Sequence, residues 1–199
     1  MVRPVRAQFD EGILDRAAAL FARRGFTKTS LQDVADAVGL SKAGLLHHFP
    51  SKDHLYRQVL DQASVLGRRV LEQVGDRPPG AARDRFALEV LVDTALAHPG
   101  LVALLLGPLV QGDRDTGVPE LDAAAAAALR AFGVDREAPV SERRIRVAGA
   151  LGALAVLTLG AHHADETTLW RPFIVDTCFD ALGHGRPGVA PPSSDQVEA

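Results

Sequence analysis

The chain has 199 residues, 47% of them hydrophobic and 5% aromatic, with one cysteine and a formal net charge of −3. This length allows one large domain or two small cooperating domains with a buried core, and the lone Cys178 excludes an internal disulfide and suits a reducing cytoplasm. Abundant alanine and leucine favour an all-α fold, and the absence of an apolar run near the start predicts no signal peptide.

The first predicted helix runs from about Phe9 to Arg24. Apolar side chains recur along it at helical spacing, and Gly25 is expected to end it. The predicted buried stripe comprises Phe9, Ile13, Ala17, Leu20 and Phe21. Residues 1–8, which include Arg3 and Arg6, form an arm that is either a frayed terminus or a contact with phosphate or the DNA minor groove.

Residues 30–52 form the most informative stretch, SLQDVADAVGLSKAGLLHHFPSK. Ser30 is placed to cap one short helix and Ser41 a second, Lys42 to Phe49. Gly39 suits the turn between them because glycine takes the left-handed conformation without a Cβ penalty. Pro50 ends the second helix. Two capped helices joined by a glycine turn predict a helix-turn-helix, whose second helix enters the DNA major groove.

The second of these helices has a small, polar and basic outer face. Lys42 can reach a guanine edge or a phosphate, and His47 a base or a phosphate. Lys52 stands at the capped start of the following helix, where a phosphate clamp is expected. His48 is either a phosphate donor or a packed histidine. The predicted DNA-binding residues are Ser30, Gln32, Ser41, Lys42, Ala43, Gly44, Leu46, His47, His48 and Lys52.

Charge is distributed unevenly along the chain. Residues 1–57 carry nine Lys and Arg against six Asp and Glu, whereas residues 58–199 carry thirteen against nineteen. We call residues 1–57 the head, which is basic, and residues 58–199 the body, which is acidic. The positive field therefore lies at the helix-turn-helix, which supports binding to double-stranded DNA.

A long helix from Asp53 to about Gly75 follows and is expected to reach from the head into the body. The sequence DRPPG at 76–80 is expected to end this helix in a loop. Five helical stretches are predicted after it, at 81–97, 101–110, 119–132, 141–163 and about 167–182. Pro172 is expected in or near the first turn of the last helix, and residues 184–199 are predicted to be a disordered tail.

The predicted helix at 141–163 is apolar nearly all round and rich in small residues, such as Gly149 and Gly152. Such a helix is expected to be buried on every side, partly against a second subunit; the alternative is a central core helix of a monomer. Its apolar run, Val147 to Ala161, is short for a membrane span, so no membrane association is predicted.

The segments ILDRAAALFARRGF (13–26), TSLQDVADAVGLSKAGLLHHF (29–49) and PSKDHLYRQVL (50–60) resemble the DNA-binding domain of the tetracycline-repressor (TetR) family. One departure is Leu46, which stands where the family most often has tyrosine. The resemblance implies a cytoplasmic, homodimeric repressor of a palindromic operator. It also implies dimerisation through the last two long helices and a small molecule that tilts the long helix.

The resulting domain assignment is a helix-turn-helix domain at 1–52, a helical ligand-binding and dimerisation domain at 53–183, and the tail. We expect a small apolar ligand, because the candidate pocket has few polar groups. The expected pocket residues are Leu66, Leu101, Leu104, Leu105, Leu109 and Leu121, with Trp170 at the rim.

Two alternative functions make different demands on the sequence. A ligand-independent DNA-binding protein would use the leucine-rich body only for oligomerisation, and a small all-α enzyme would need catalytic residues. No phosphate-loop or nucleophile-elbow pattern occurs in the sequence, so no enzymatic activity and no cofactor are predicted. His162 and His163 invite a metal site, but adjacent helical residues point in different directions, so no metal is predicted.

Overall fold

The computed structural model describes residues 3–111 and 117–184, with side chains described for residues 9–107 and 117–184. This part of the chain is all-α, as predicted, and contains no strand. The helices are α1 (Arg3–Lys28), α2 (Leu31–Ala37), α3 (Lys42–His48), α4 (Lys52–Val74), α5 (Ala81–Ala97), α6 (Pro99–Gln111), α7 (Pro119–Ala131), α8 (Glu142–His163) and α9 (Thr167–Phe179). A single π-helical turn, Asp180–His184, follows α9.

The first helix begins earlier than its apolar stripe predicts. Residues 3–8 are helical, so the predicted arm is mostly part of α1, whereas Gly25 (φ 76°) breaks the helix where expected. Phe9 is 45% exposed, and its predicted place in the core is therefore wrong. Its ring lies beside that of His48, with centroids 5.5 Å apart.

Buried side chains form two clusters. The head cluster joins α1, α2, α3 and the first half of α4 with residues of α6 and α7, including Leu101 and Leu121. The body cluster joins the end of α4 with α5, the end of α7, α8 and α9. Hydrophobic burial thus links α6 and α7 to the N-terminal helices rather than to the body alone.

Helix α8 is buried along one stripe only. Val147, Ala150, Leu154, Thr158 and Ala161 face the core, at the spacing of one helical face. The alternative of a core helix buried on every side by one chain is wrong, because Ile145 and Val156 are 61% and 60% exposed. Length and composition alone would let α8 cross a membrane, a weak indication because the core helix of a soluble protein passes the same test.

Two residues near the C-terminal end of the described chain bear on the sequence prediction. Pro172 is the sixth residue of α9, near its first turn as expected, inside a helix that continues to Phe179. His184, predicted to begin the disordered tail, belongs to the π-helical turn, and its Nε2 lies 2.6 Å from Oδ2 of the buried Asp84. The rest of the predicted tail, residues 185–199, lies outside the described residues.

Candidate nucleic-acid interface

The turn between α2 and α3 is built by local hydrogen bonds that the sequence encodes. Ser30 and Asp33 form a reciprocal capping box: the Asp33 N–H donates to the Ser30 hydroxyl, and the Ser30 N–H donates to the Asp33 carboxylate. Gly39 (φ 70°) takes the left-handed conformation, and the Leu40 N–H then donates to the Ala35 carbonyl at 2.9 Å. The predicted helix-turn-helix geometry is therefore present.

Helix α3 rests on the head cluster through Leu45, which is fully buried, and is followed by the buried Phe49. Lys42, Ala43 and His47 of this helix are exposed, and Leu46 beside them is half-buried. Ser41 caps the helix, since its hydroxyl accepts a hydrogen bond from the Gly44 N–H at 3.0 Å. A short basic helix with a small-residue surface therefore stands at the outside of the head.

Gly44 has a packing role that the sequence did not reveal. A Cβ at this position would lie 3.3 Å from the Ser41 hydroxyl oxygen and 3.9 Å from Leu40. Because glycine has no side chain, the Ser41 hydroxyl has room to cap α3. The stability gained from this cap offsets the helix-propensity cost of glycine.

Lys52 is engaged inside the head. Its ammonium donates to the Phe26 carbonyl at 3.0 Å and lies 4.2 Å from the centroid of the Phe26 ring. The lysine thus ties the start of α4 to the end of α1 through a hydrogen bond and a cation–π contact. The structure thus shows Lys52 supporting the head, and its predicted phosphate contact stays a prediction.

His48 also faces another helix rather than solvent. Its Nδ1 lies 2.7 Å from Oδ1 of Asp10 on α1. Of the two interpretations drawn from the sequence, the structure supports the packed histidine. His48 therefore fixes α3 relative to α1.

The polar residues around α2 are paired with one another. Gln32 donates to Asp36 at 2.6 Å, and Arg24 donates to Asp33 at 2.9 Å. Hydrogen bonds from the Ser30 hydroxyl and backbone N–H, with Arg24 next to them, hold the pKa of Asp33 below its ordinary value. Ser30 and Gln32 remain exposed at the start of α2.

The residues expected to line a ligand pocket do not all lie together. Leu101, Leu104 and Leu121 are buried in the head cluster, and Leu66 and Leu105 pack against it. The side chain of Leu109 lies outside the described residues. Trp170 packs instead against the body cluster and lines an open apolar groove of about 280 Å³ with Leu157, Leu169, Phe173, Ile174 and Thr177.

A contact between α1 and the start of α6 has no signal in the sequence. The Asp15 carboxylate on α1 accepts hydrogen bonds from the Gly100 and Leu101 N–H groups, both at 3.1 Å, at the start of α6. Burial raises the pKa of Asp15, while these two hydrogen bonds oppose that rise. A Cβ at Gly100 would lie 1.9 Å from the Asp15 carbonyl oxygen, so only glycine allows α1 and α6 to approach this closely.

Groups suited to metal binding or nucleophilic catalysis are not assembled in the described part of the chain. It contains no cluster of three potential metal ligands, and His162 and His163 each lie 2.7 Å from a backbone carbonyl oxygen instead. Cys178 is buried, and burial raises the pKa of its thiol to about 11, so the reactive thiolate is disfavoured.

Comparison with known proteins identifies relatives of the head and of the whole fold. Residues 13–59 match the family described as "Bacterial regulatory proteins, tetR family". Over 48 residues, the chain is 46% identical to the HTH-type transcriptional repressor KstR2 of Rhodococcus jostii, a match that covers 24% of each chain. The chain therefore spans about a quarter of that relative's length.

Two further comparisons extend over most of the chain. An uncharacterized HTH-type transcriptional regulator of Mycobacterium tuberculosis is 27% identical over 177 residues, with 87% of each chain covered. The crystal structure of the TetR family transcriptional regulator PfmR from Thermus thermophilus superposes with a TM-score of 0.54 at 22% identity. That superposition covers 87% of this chain and 97% of PfmR. The arrangement of helices is thus shared beyond the head.

Proposed function

From its membership of the tetR family of bacterial transcriptional regulators, we propose that the chain represses transcription as a homodimer bound to a palindromic DNA operator. Binding of a small molecule releases the protein from that operator. It acts without catalysis of its own. Residues 1–52 serve as the DNA-binding domain, and residues 53–183 bind the ligand and the second subunit.

The exposed face of α3 is the observation that carries this proposal. Lys42, Ala43 and His47 are open to solvent on a helix held rigidly from behind by Leu45. A lysine at the start of a recognition helix can hydrogen-bond a guanine edge, and small residues let the helix enter the major groove deeply. The exposed Ser30 and Gln32 at the start of α2 are placed to contact phosphates of the backbone.

Other residues of the predicted DNA-binding set act through the shape of the head. Ser41 caps α3, Gly44 makes room for that cap, and Leu46 lies half-buried beside the exposed face. His48 and Lys52 hold α3 and α4 against α1. We assign these last two to positioning rather than to direct contact with DNA.

The homodimer is supported by apolar surface on the two C-terminal helices. Ile145 and Val156 of α8, and Leu169 and Phe173 of α9, are each about 60–65% exposed. A Cβ at Gly149 or Gly152 would meet nothing within 4 Å, so the small-residue face of α8 is open. Pairing α8 and α9 with their counterparts across a two-fold axis would bury this surface in a four-helix bundle.

The ligand response is supported by the way the head is joined to the body. Helix α4 runs from the head cluster into the body cluster, and α6 is hydrogen-bonded to α1 through Asp15. A ligand held among Leu66, Leu101, Leu104 and Leu105 would separate elements that also position the head. Differential affinity for two such arrangements is sufficient to couple ligand and operator.

Protection of the DNA flanking the protein's own gene tests this function. We expect a protected palindrome and a strong dependence of affinity on salt. If a dimer neutralises about six to eight phosphates, the logarithm of the association constant should fall against the logarithm of salt concentration with a slope of roughly −5 to −7. A scrambled duplex of equal composition is the control. A slope near zero would rule out docking in the groove.

A further inference from the structure

Gln62 on α4 is an exception among the buried polar side chains. It is 9% exposed, and neither its Nε2 nor its Oε1 has a hydrogen-bond partner among the described residues. Three other polar side chains are buried in the described part of the chain, and all are paired. Thr29 donates to the Gly25 carbonyl, Thr158 donates to the Leu154 carbonyl, and Asp84 pairs with Arg143 and His184. An amide without partners in the interior carries an uncompensated desolvation cost.

The amide lies on the side of α4 that faces the head cluster. At 100° per residue, Gln62 shares a face with Leu55, Val59 and Leu66, which belong to that cluster or pack against it. Helix α7 packs against another face of α4, at Gly67, where a Cβ would lie 3.2 Å from the Cα of Ala124. Gly67 is about 140° around the helix from Gln62. Gln62 therefore points away from the contact with Ala124 of α7, on the side of α4 that carries Leu66.

We propose that Gln62 is the polar anchor of the ligand site and that the ligand is an apolar molecule ending in a neutral group that both donates and accepts hydrogen bonds, such as a primary carboxamide. This inference rests on the ligand response proposed above. The Gln62 side chain can donate through Nε2 and accept through Oε1, which matches a carboxamide in both senses. The apolar part of the ligand would lie against Leu66 and the leucines of α6.

The described part of the chain holds no buried cation, so we expect the anchor to prefer neutral groups. Among the described residues, the buried polar or charged side chains are Thr29, Gln62, Asp84 and Thr158, none of which carries a positive charge. An ionised carboxylate brought to Gln62 would lose its hydration without a compensating charge. A neutral head group avoids that cost.

Decanamide and sodium decanoate are suitable probes, because they share an alkyl chain and differ in the charge of the head group at neutral pH. Decanamide should raise the melting temperature of the wild type and weaken its binding to the protected DNA. Decanoate should do both at concentrations at least about tenfold higher. A wild type that decanoate stabilises as strongly as decanamide would overturn the assignment of a neutral ligand.

Gln62→Met tests the anchor itself, because methionine keeps the length of the side chain and removes both polar groups. Without ligand, its melting temperature should rise by about 2–8 °C, since the unpaired amide is gone. It should bind decanamide about ten- to a hundredfold more weakly and no longer distinguish it from decanoate. The control is Gln73→Met, an exposed glutamine on the same helix, which should keep the wild-type affinity and selectivity.

The outcomes separate the anchor from the function it rests on. A lower melting temperature for Gln62→Met would show that Gln62 is a structural residue with hydrogen bonds inside the protein. An unchanged affinity of Gln62→Met for decanamide would show that the ligand binds elsewhere. Either result overturns the anchor and leaves operator binding unaffected. A wild type that decanamide does not stabilise also overturns it. Decanamide bound through Gln62 without loss of operator affinity would support the anchor and refute the proposed ligand response.

Discussion

At the scale of single residues, the head uses polar side chains for its own assembly more than the sequence suggests. In the sequence, Lys52 looks like a phosphate contact and His48 like either a phosphate donor or a packed histidine. In the structure, Lys52 is bonded to Phe26 and His48 to Asp10, both on α1. Their partners lie 26 and 38 residues away, so the spacing of residues within one helix could not reveal them. Lys42, by contrast, could be predicted as exposed because a charged side chain at the first position of a helix stays in solvent unless it is paired.

Lys42→Ala and Lys52→Ala should therefore have different effects. Lys42→Ala should weaken operator binding by about 1–3 kcal/mol and leave the melting temperature unchanged, because the side chain is exposed and contributes only to the DNA interface. Lys52→Ala should lower the free energy of unfolding by about 1 kcal/mol, since it removes the hydrogen bond and the cation–π contact at Phe26.

Thermal unfolding and binding to a panel of operator variants measure the two effects. Relaxed preference at one base pair is expected for Lys42→Ala only. Equal losses of stability in both variants, or an unchanged melting temperature for Lys52→Ala, would contradict the division into an exposed contact and an internal support.

At the scale of elements, helices with clear caps and breaks could be predicted closely. Helix α5 is found at Ala81–Ala97, as expected, and α4 and α8 begin and end within one residue of their predicted bounds. Ser51 and Ser141 cap α4 and α8, and the DRPPG break separates α4 from α5. The start of α1 was missed because its first turns lack the apolar stripe on which the prediction depended. The contact between α1 and α6 was missed because Asp15 and Gly100 are 85 residues apart.

Two glycines of α6 provide a matched test of that contact. Gly100→Ala should destabilise the protein by roughly 3 kcal/mol, because its Cβ would overlap the backbone of α1 at 1.9 Å and separate Asp15 from the start of α6. Gly107→Ala should stabilise it by about 0.5–1 kcal/mol, because a Cβ there meets nothing within 4 Å and alanine favours the helix.

Chemical denaturation of the two variants gives the comparison directly. We expect the free energy of unfolding to fall for Gly100→Ala and to rise by a smaller amount for Gly107→Ala. The slope of that free energy against denaturant concentration should be similar in both variants. A Gly100→Ala protein as stable as the wild type would show that α1 and α6 do not pack as closely as described.

At the scale of the whole molecule, the all-α fold class could be predicted from composition, whereas the course of the core could not. The head cluster includes Leu101 and Leu121, far beyond the predicted boundary at residue 52, which stays a prediction. Side chains of α6 and α7 join the head because the chain folds back on itself, and no local pattern encodes that return.

The open apolar face of α8 and α9 has the largest consequence for the whole molecule, because the described part of the chain offers a single candidate recognition helix, α3. Two such helices must lie about 34–36 Å apart to enter successive major grooves on one side of B-DNA. Gly152→Arg places a long charged side chain on the open face of α8, where a Cβ meets nothing within the monomer. A buried, unpaired charge would disrupt a dimer interface without disturbing the core of the subunit.

We therefore expect Gly152→Arg to be a folded, helical monomer that loses operator affinity, as measured by light scattering, circular dichroism and footprinting. The matched control is Gly12→Arg, the same change at an exposed position of α1 where a Cβ also meets nothing within 4 Å; its mass should remain that of the dimer. An unfolded or aggregated Gly152→Arg chain would place this face in the core instead. The decisive measurement is on the wild type: a monomer at micromolar concentration that still protects a full palindrome would refute the dimer, and with it the requirement that two recognition helices be held at a fixed separation.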